Sequence, residues 1–279
     1  MSVARIGLAA LKGSQHRPRQ AVRLTGQGPA GDRSLCLIDP RLLQVLKTVA
    51  NPSLLAAAVS YEQGVLAVEL AGRIRAGAVE TTGEKMVVSY WGRPVTVDVV
   101  GGPWASMFSQ LLGRPVLLAS ALPGDIVYGQ QVTVVTTASV AALLPVSRTP
   151  PYAVERLAAV RDSPRFRATF TIEVAGTRYA EAGSESRWVG RELTLGDARV
   201  RLTAPVARCG VVDLHPVTGQ RDLRVLASLP RDVDGEAVFG LQGRVTQPGM
   251  VSQGARVSID GEPATGRQAH RRWHGGPAG

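Results

Sequence analysis

Apolar and polar residues alternate over short stretches along most of this chain, and glycine or proline closes nearly every stretch. Residues 65–70 have a clear two-residue period. Residues 21–24 and 34–38 flank a turn-rich run from Gly26 to Asp32. Residues 86–90 and 95–99 bracket Trp91-Gly92-Arg93-Pro94, the pattern of a β-hairpin. Further strands are expected at 168–174, 198–205, 209–214, 236–246 and 255–259. Helical spacing is confined to a few places. Leu42, Leu43, Val45, Leu46 and Val49 would share one apolar face. Trp104, Met107, Phe108, Leu111 and Leu112 would share another, with Gly113 as a stop. Residues 139–144 and 152–160 are shorter helical candidates. Many short strands under a few helices predict a mainly β protein with a β-barrel core.

Composition agrees with that picture and adds limits. The chain has 279 residues, 44% of them hydrophobic and 19% charged, ordinary for a globular protein with one large domain or two intimate lobes. A lobe boundary is expected near Gly101, after the hairpin, giving lobes over 1–100 and 101–261. The Pro/Arg/Thr run 146–151 reads as a linker or long loop, and the Gly/Pro/Arg/His-rich run 262–279 reads as a basic tail. No apolar run reaches the roughly 18 residues that span a bilayer. The N-terminal apolar patch, 6–11, is too short for a secretory leader. Cys36 and Cys209 cannot make a disulfide framework, so a cytoplasmic protein without membrane attachment is expected.

The charge is +10, from 32 basic and 22 acidic residues, and all the basic residues except Lys12, Lys47 and Lys85 are arginine. A positive field favours anionic partners such as phosphorylated cofactors or acidic substrates. Aromatic residues make up only 5% and do not interleave with a basic stripe, so nucleic-acid binding is not expected.

Several chemistries find no support. There is no Walker loop and no Gly-x-Ser-x-Gly. Gly26-Gln27-Gly28-Pro29-Ala30-Gly31 spells a dinucleotide fingerprint, but a strand is expected after it, not the helix whose N-terminus would hold a pyrophosphate. His270 and His274 have ligand spacing but lie in the tail, and His16 sits in a polar loop. What remains is Cys209, preceded by Arg208. A neighbouring guanidinium favours the thiolate, the form that ligates soft metals or attacks electrophiles. A small buried hydrophobe in a strand is the bland alternative; Cys36, on an alternating strand, fits that role.

The stretch around Cys209 resembles the MOSC domain, named for the C-terminal region of molybdenum-cofactor sulfurases. That family carries an Arg-Cys pair followed by an Asp-Pro-x-Thr-Gly turn; here Arg208-Cys209 precedes His215-Pro216-Val217-Thr218-Gly219, with His in place of Asp. Upstream, Arg165-Phe166-Arg167-Ala168-Thr169 resembles a Phe-Arg-Pro-Asn run, followed by Trp188-Val189-Gly190 and Leu195-Gly196. Downstream, Phe239-Gly240 and Pro248-Gly249-Met250-Val251-Ser252-Gln253-Gly254 resemble the closing segment. The first third is similar to the β-barrel lobe preceding MOSC domains in amidoxime reductases. Leu11-Lys12-Gly13-Ser14 stands for Pro-Val-Lys-Ser, and Gly31-Asp32-Arg33 for the opening of a strand. Leu111-Leu112-Gly113-Arg114-Pro115-Val116 fits a helix-to-strand junction.

The resemblance implies a two-lobed MOSC-type β-barrel architecture and a molybdenum cofactor, whose molybdopterin carries a phosphate and a dithiolene. By family matching, Lys12, Arg33, Arg167 and Thr169 would contact the cofactor, and Cys209 would be both the metal ligand and the catalytic thiolate. The guanidinium fork suits phosphate and pterin acceptors. The implied activity is an oxidoreductase acting on small N-oxygenated substrates, with electrons from a separate donor protein. Thr169 replaces an Asn of the reductases, Tyr128-Gly129-Gln130 replaces their Asp-Thr-Ser loop, and His215 replaces an Asp. These departures leave two other outcomes open: a sulfurtransferase carrying a persulfide on Cys209 without molybdenum, and a non-catalytic binding protein on the same scaffold.

Overall fold

The structure, a computed structural model, describes residues 1–143 and 159–260. Among them β-strands predominate, and they serve two lobes. The first lobe is an eight-stranded sheet ordered β19-β15-β16-β17-β13-β14-β1-β2. It contains β1 (Ser2–Leu8), β2 (Arg17–Arg19), β13 (Val132–Thr136), β14 (Phe170–Glu173), β15 (Glu192–Leu195), β16 (Ala198–Ala207), β17 (Val238–Gln247) and β19 (Val257–Asp260). Strands β13 and β14 run parallel, so the chain between them must cross over the sheet; helix α2 (Thr137–Leu143) begins that crossover. A side ribbon of β3 (Ala21–Thr25), β4 (Gly28–Pro29) and β18 (Gly249–Ser252) covers this lobe. Val3, Ile6, Leu24, Phe170, Ile172, Trp188, Val200 and Val251 meet in its core.

The second lobe is a closed barrel of β5 (Leu35–Asp39), β6 (Gln44–Val45), β10 (Thr81–Tyr90), β11 (Arg93–Val100) and β12 (Leu117–Ala121). Strand β5 is buried throughout, and its side chains divide by the two-residue period. Cys36 and Ile38 pack with Val88, Tyr90, Val97 and Ala119. Leu35 and Leu37 face helix α1 (Trp104–Leu112) and the meander β7 (Ala58–Glu62), β8 (Val65–Leu70) and β9 (Arg73–Ala78). Helix α1 ends at Gly113, whose φ of 65° is the left-handed cap expected from the sequence.

The hairpin is present with longer strands, and its two-residue turn is Trp91-Gly92, with Arg93 already paired to Tyr90. Three expectations are corrected. Residues 42–49 form no α-helix: Asp39 Oδ1 accepts from the backbone N–H of Arg41 at 2.9 Å and of Leu42 at 3.1 Å, and this turns the chain into β6. Leu42 is 64% exposed, so the predicted apolar face does not exist. Residues 209–214 form a 3-10 turn, Gly210–Asp213, in place of a strand. The passage between lobes also falls elsewhere than residue 101, because β1–β4 complete the sheet lobe while α1 and β12 belong to the barrel. The candidate helix at 152–160 lies mostly, and the linker and tail lie wholly, outside the described residues.

Candidate functional site

The site begins where β1 ends and the chain crosses from the sheet lobe to the barrel. Lys12 N–H donates to Leu35 O at 2.8 Å, and Arg33 N–H donates to Ala9 O at 2.8 Å. Asp32 tightens the same crossing: its Oδ1 accepts from Ala9 N–H at 2.9 Å, and its Oδ2 pairs with the Arg33 guanidinium. Arg33 itself has φ of 49°, a left-handed conformation unfavourable for a side chain of this size. These two crossing segments hold Lys12 and Arg33 beside the start of the barrel strand β5.

The sheet lobe supplies the other side. The 3-10 turn Ser163–Phe166 ends at Arg167, again left-handed with φ of 51°. Its Nη1 donates to Ser14 O at 2.7 Å, linking it to the loop that carries Lys12. At the end of β16, Arg208 Nε donates to Phe239 O at 2.9 Å and Nη1 to Phe166 O at 2.5 Å. This guanidinium fastens the turn that presents Arg167 to the strand that presents Cys209. Cys209 is extended, exposed and free. The loop after it is held by Arg165, which donates to Leu214 O at 2.7 Å and pairs with Asp222 at 2.8 and 2.9 Å. That guanidinium holds the Asp222 carboxyl below its ordinary range.

Arg33, Arg167 and Cys209 lie close enough to Lys12 for their charges to act on it, and Arg33 and Cys209 act likewise on Arg167. Burial, then Arg33 and Arg167, lower the Lys12 ammonium to about 7. Burial, then Arg33, lower the Arg167 guanidinium to about 9. Behind them His16 is buried and well below the ordinary imidazole range, first through burial and then through Arg5, Arg167 and Arg33. Its neutral Nδ1 accepts from Arg5 Nη1 at 3.1 Å. Arg167 Nη2 and Arg208 Nη2 are buried with no hydrogen-bond partner among the described residues. A concentration of cations with two buried donors left without protein partners has the chemistry to receive an anion.

The structure thus brings together Lys12, Arg33, Arg167 and Cys209, which lie far apart in sequence. Thr169 is different: its hydroxyl accepts from Thr133 N–H at 3.2 Å, and its own N–H donates to Thr133 Oγ1 at 3.1 Å, so it is spent on the sheet. His16, expected in a polar loop, is 5% exposed. Cys36 is buried, and burial pushes its thiol up to about 12, as an inert core residue requires. His215 keeps the turn that an Asp would hold, with Nδ1 accepting from Val217 N–H at 3.3 Å and Thr218 N–H at 3.2 Å. The second guanidinium donor, Arg208, was visible in the sequence only as a neighbour of the cysteine. The anchoring role of Arg165 had no local signal, because its partners Leu214 and Asp222 come from a distant loop.

Three solved structures give the broader setting. YuaD from Bacillus subtilis is 10% identical, covering 92% of this chain and 94% of its own, with a TM-score of 0.41. YiiM from Geobacillus stearothermophilus is 13% identical over 49% of this chain and 57% of its own, with a TM-score of 0.30. A Bordetella bronchiseptica protein solved in solution is 17% identical over 34% of this chain and 75% of its own, with a TM-score of 0.28. No curated protein matches the sequence. The family model of the MOSC domain matches residues 117–258, from the last barrel strand to the last sheet strand and across Arg167 and Cys209. On that match the chain belongs to the MOSC domain family.

Proposed function

We propose that this protein is a molybdenum-cofactor-dependent oxidoreductase that acts on small N-oxygenated compounds. The observation that carries the reading is the pair of unsatisfied buried donors, Arg167 Nη2 and Arg208 Nη2, beside the exposed Cys209 thiol. The donor set also suits a metal that arrives with its own ligands. No three His, Cys, Asp or Glu side chains converge among the described residues, which offer instead the exposed Cys209 thiol in a cationic setting. Lys12, Arg33 and Arg167 would hold the phosphate and pterin acceptors, and Cys209 would complete the metal's coordination. When bound, the cofactor supplies two-electron oxygen-atom chemistry.

The chain's own part is binding, orientation and charge. Arg33 and Arg167 both sit in left-handed turns, and Arg33 is near enough to act on the charge of Arg167, so the two guanidinium groups could grip one anion. Arg208 fixes the distance between the Arg167 turn and Cys209 through its two backbone acceptors. Lys12, lowered toward neutrality, would regain its proton as an anion enters. The net reaction removes the oxygen of an N–OH group as water, consuming two protons and two electrons, which a separate donor protein would deliver.

The exposure of Cys209 also favours a second reading, a sulfurtransferase with a persulfide on that thiol. One experiment separates them: molybdenum content and pterin fluorescence of protein made in a cofactor-competent host, alongside cyanide-releasable sulfur. Stoichiometric molybdenum supports the oxidoreductase. Releasable sulfur on Cys209 without molybdenum supports the transferase and overturns the first reading. Cys209→Ser should keep the pterin while abolishing turnover, because a hydroxyl cannot replace a thiolate's donation to the metal. Cys36→Ser is the matched control.

A further inference from the structure

We infer that the cleft in which Arg5 and Arg17 of the sheet lobe meet the barrel lobe is a second anion site, distinct from the cation cluster around Cys209, and that it takes a small aliphatic carboxylate or phosphate ester. The cleft has a volume of about 710 Å³, within the range that holds small molecules. The sheet lobe contributes Arg5 from β1, Arg17 from β2 and Gln253 after β18, and the barrel lobe contributes Ala58 from β7 and Glu69 from β8. The turn carrying Pro216 and Val217 completes the wall.

Arg5 is the unusual member. It is 6% exposed, yet it makes no ion pair among the described residues. Its Nη1 donates to His16 Nδ1 at 3.1 Å and its Nη2 to His16 O at 2.7 Å. Both acceptors are neutral, because His16 is held well below the ordinary imidazole range. Burial lowers the Arg5 guanidinium to about 10, and no neighbouring carboxylate raises it again. A buried cation that has hydrogen bonds but no counter-charge carries a desolvation cost that an anion in the cleft would offset. The guanidinium is also packed in place. A Cβ on Gly7 would collide with Arg5 Nη1 and with His16 Cε1, so this pair lies against bare backbone.

The rest of the wall fits the same ligand. Arg17 is partly buried, and its side chain makes no hydrogen bond or ion pair among the described residues. Arg161 lines the cleft too, but it is exposed and paired with Asp162 at 3.3 Å. The carboxylate of the wall, Glu69, is exposed and pairs with none of these arginines. Two guanidinium groups without carboxylate partners suit one oxyanion head group. Alanine, proline and valine supply the remaining wall, which suits a short alkyl chain. Lys12, Arg33, Arg167 and Cys209 do not line this cleft. The two sites share only a short segment: Gln15 and His16 line the cleft, while Ser14 O accepts from Arg167. The second site therefore stands or falls apart from the oxidoreductase reading.

Calorimetric titration of the full chain with pentanoate, monobutyl phosphate and 1-pentanol tests the assignment. At least one of the two anions should bind about tenfold or more tighter than the neutral alcohol. Arg17→Met should weaken that anion about tenfold with the melting temperature of the free protein kept, and Arg17→Lys should recover part of the loss. Arg5→Met should weaken it as well. Arg167→Ala should leave the affinity within about twofold, because that residue belongs to the other site. The tighter of the two anions identifies the head group. Absence of binding by both anions, or equal affinity for anion and alcohol, would overturn the site. So would native affinity in both Arg17→Met and Arg5→Met. Loss of binding in Arg167→Ala with native affinity in Arg17→Met would place the anion in the cofactor cluster and overturn the cleft, while leaving the cofactor reading intact.

Discussion

At the residue scale, the site is a set of ionisable side chains whose ordinary behaviour is altered by burial and by one another. Lys12 gives the clearest consequence. The unfolded chain keeps the Lys12 proton up to its ordinary value of 10.5, whereas the folded chain releases it at about 7. Between those values the unfolded state binds more protons, so the folded state gains stability as pH rises. Urea midpoints of the cofactor-free protein should therefore rise from pH 7 to pH 10 relative to those of Lys12→Met. Parallel curves would contradict the burial assigned to Lys12.

Glu185 behaves in the opposite way. Its Oε2 accepts from Ser139 Oγ at 2.7 Å and from Thr136 Oγ1 at 3.2 Å, and burial raises its carboxyl above the ordinary value of 4.5. A raised carboxyl contributes stability below pH 4.5 that is lost as pH climbs through the folded value. Glu185→Gln copies the neutral form and should raise the melting temperature at pH 7 but not at pH 4. A lower melting temperature at pH 7 would show that the ionised form is the stabilising one. Arg33→Ala and Arg167→Ala should each reduce molybdopterin occupancy, since each removes charge-assisted bonds worth roughly 1.5–3 kcal/mol, with the circular dichroism spectrum preserved. Full occupancy in both variants would remove these residues from the site.

At the scale of elements, the reading of the sequence succeeded where a local period or a glycine decides the structure. The hairpin, helix α1 with its Gly113 stop, and strands β3, β5, β8, β16 and β17 all belong to that class. It failed where a side chain from outside the element intervened. The apolar spacing of Leu42 to Val49 is real, but the Asp39 carboxylate caps a turn inside it. The expected strand at 209–214 is drawn into a 3-10 turn whose carbonyls Arg165 binds from another segment. The turn ending in Gly219 shows how such loops join the lobes. Its φ is +74°, and a Cβ there would lie 2.0 Å from Pro52 O of the barrel side. Gly219→Ala must push the lobes apart or break the turn, and should cost about 2 kcal/mol or more in denaturant unfolding. A change under about 0.5 kcal/mol would show that the turn yields freely.

At the scale of the whole molecule, the two lobes are interleaved in sequence. Strand β1 pairs with β14, and β3 pairs with β18, so the N-terminal segment is part of the C-terminal lobe. A fragment spanning 101–261 would lack Val3, Ile6, Val22 and Leu24 from its core and would leave the β14 edge open. It should show no cooperative thermal transition by circular dichroism, whereas the full chain should; a sharp transition in the fragment would mean that β1–β4 are dispensable. No helix among the described residues is long and apolar enough to cross a membrane. The sequence by itself determined the mainly β class and the family, and it singled out Lys12, Arg33, Arg167 and Cys209 as candidates, because periodicity, turn glycines and short motifs act over a few neighbouring positions. Only the tertiary structure decided that these four meet, that Arg208 is both fastener and unsatisfied donor, and that Thr169 is spent on the sheet. Those outcomes depend on pairings between segments as distant as Ser14 and Arg167, and on burial, which exists only once both lobes have formed.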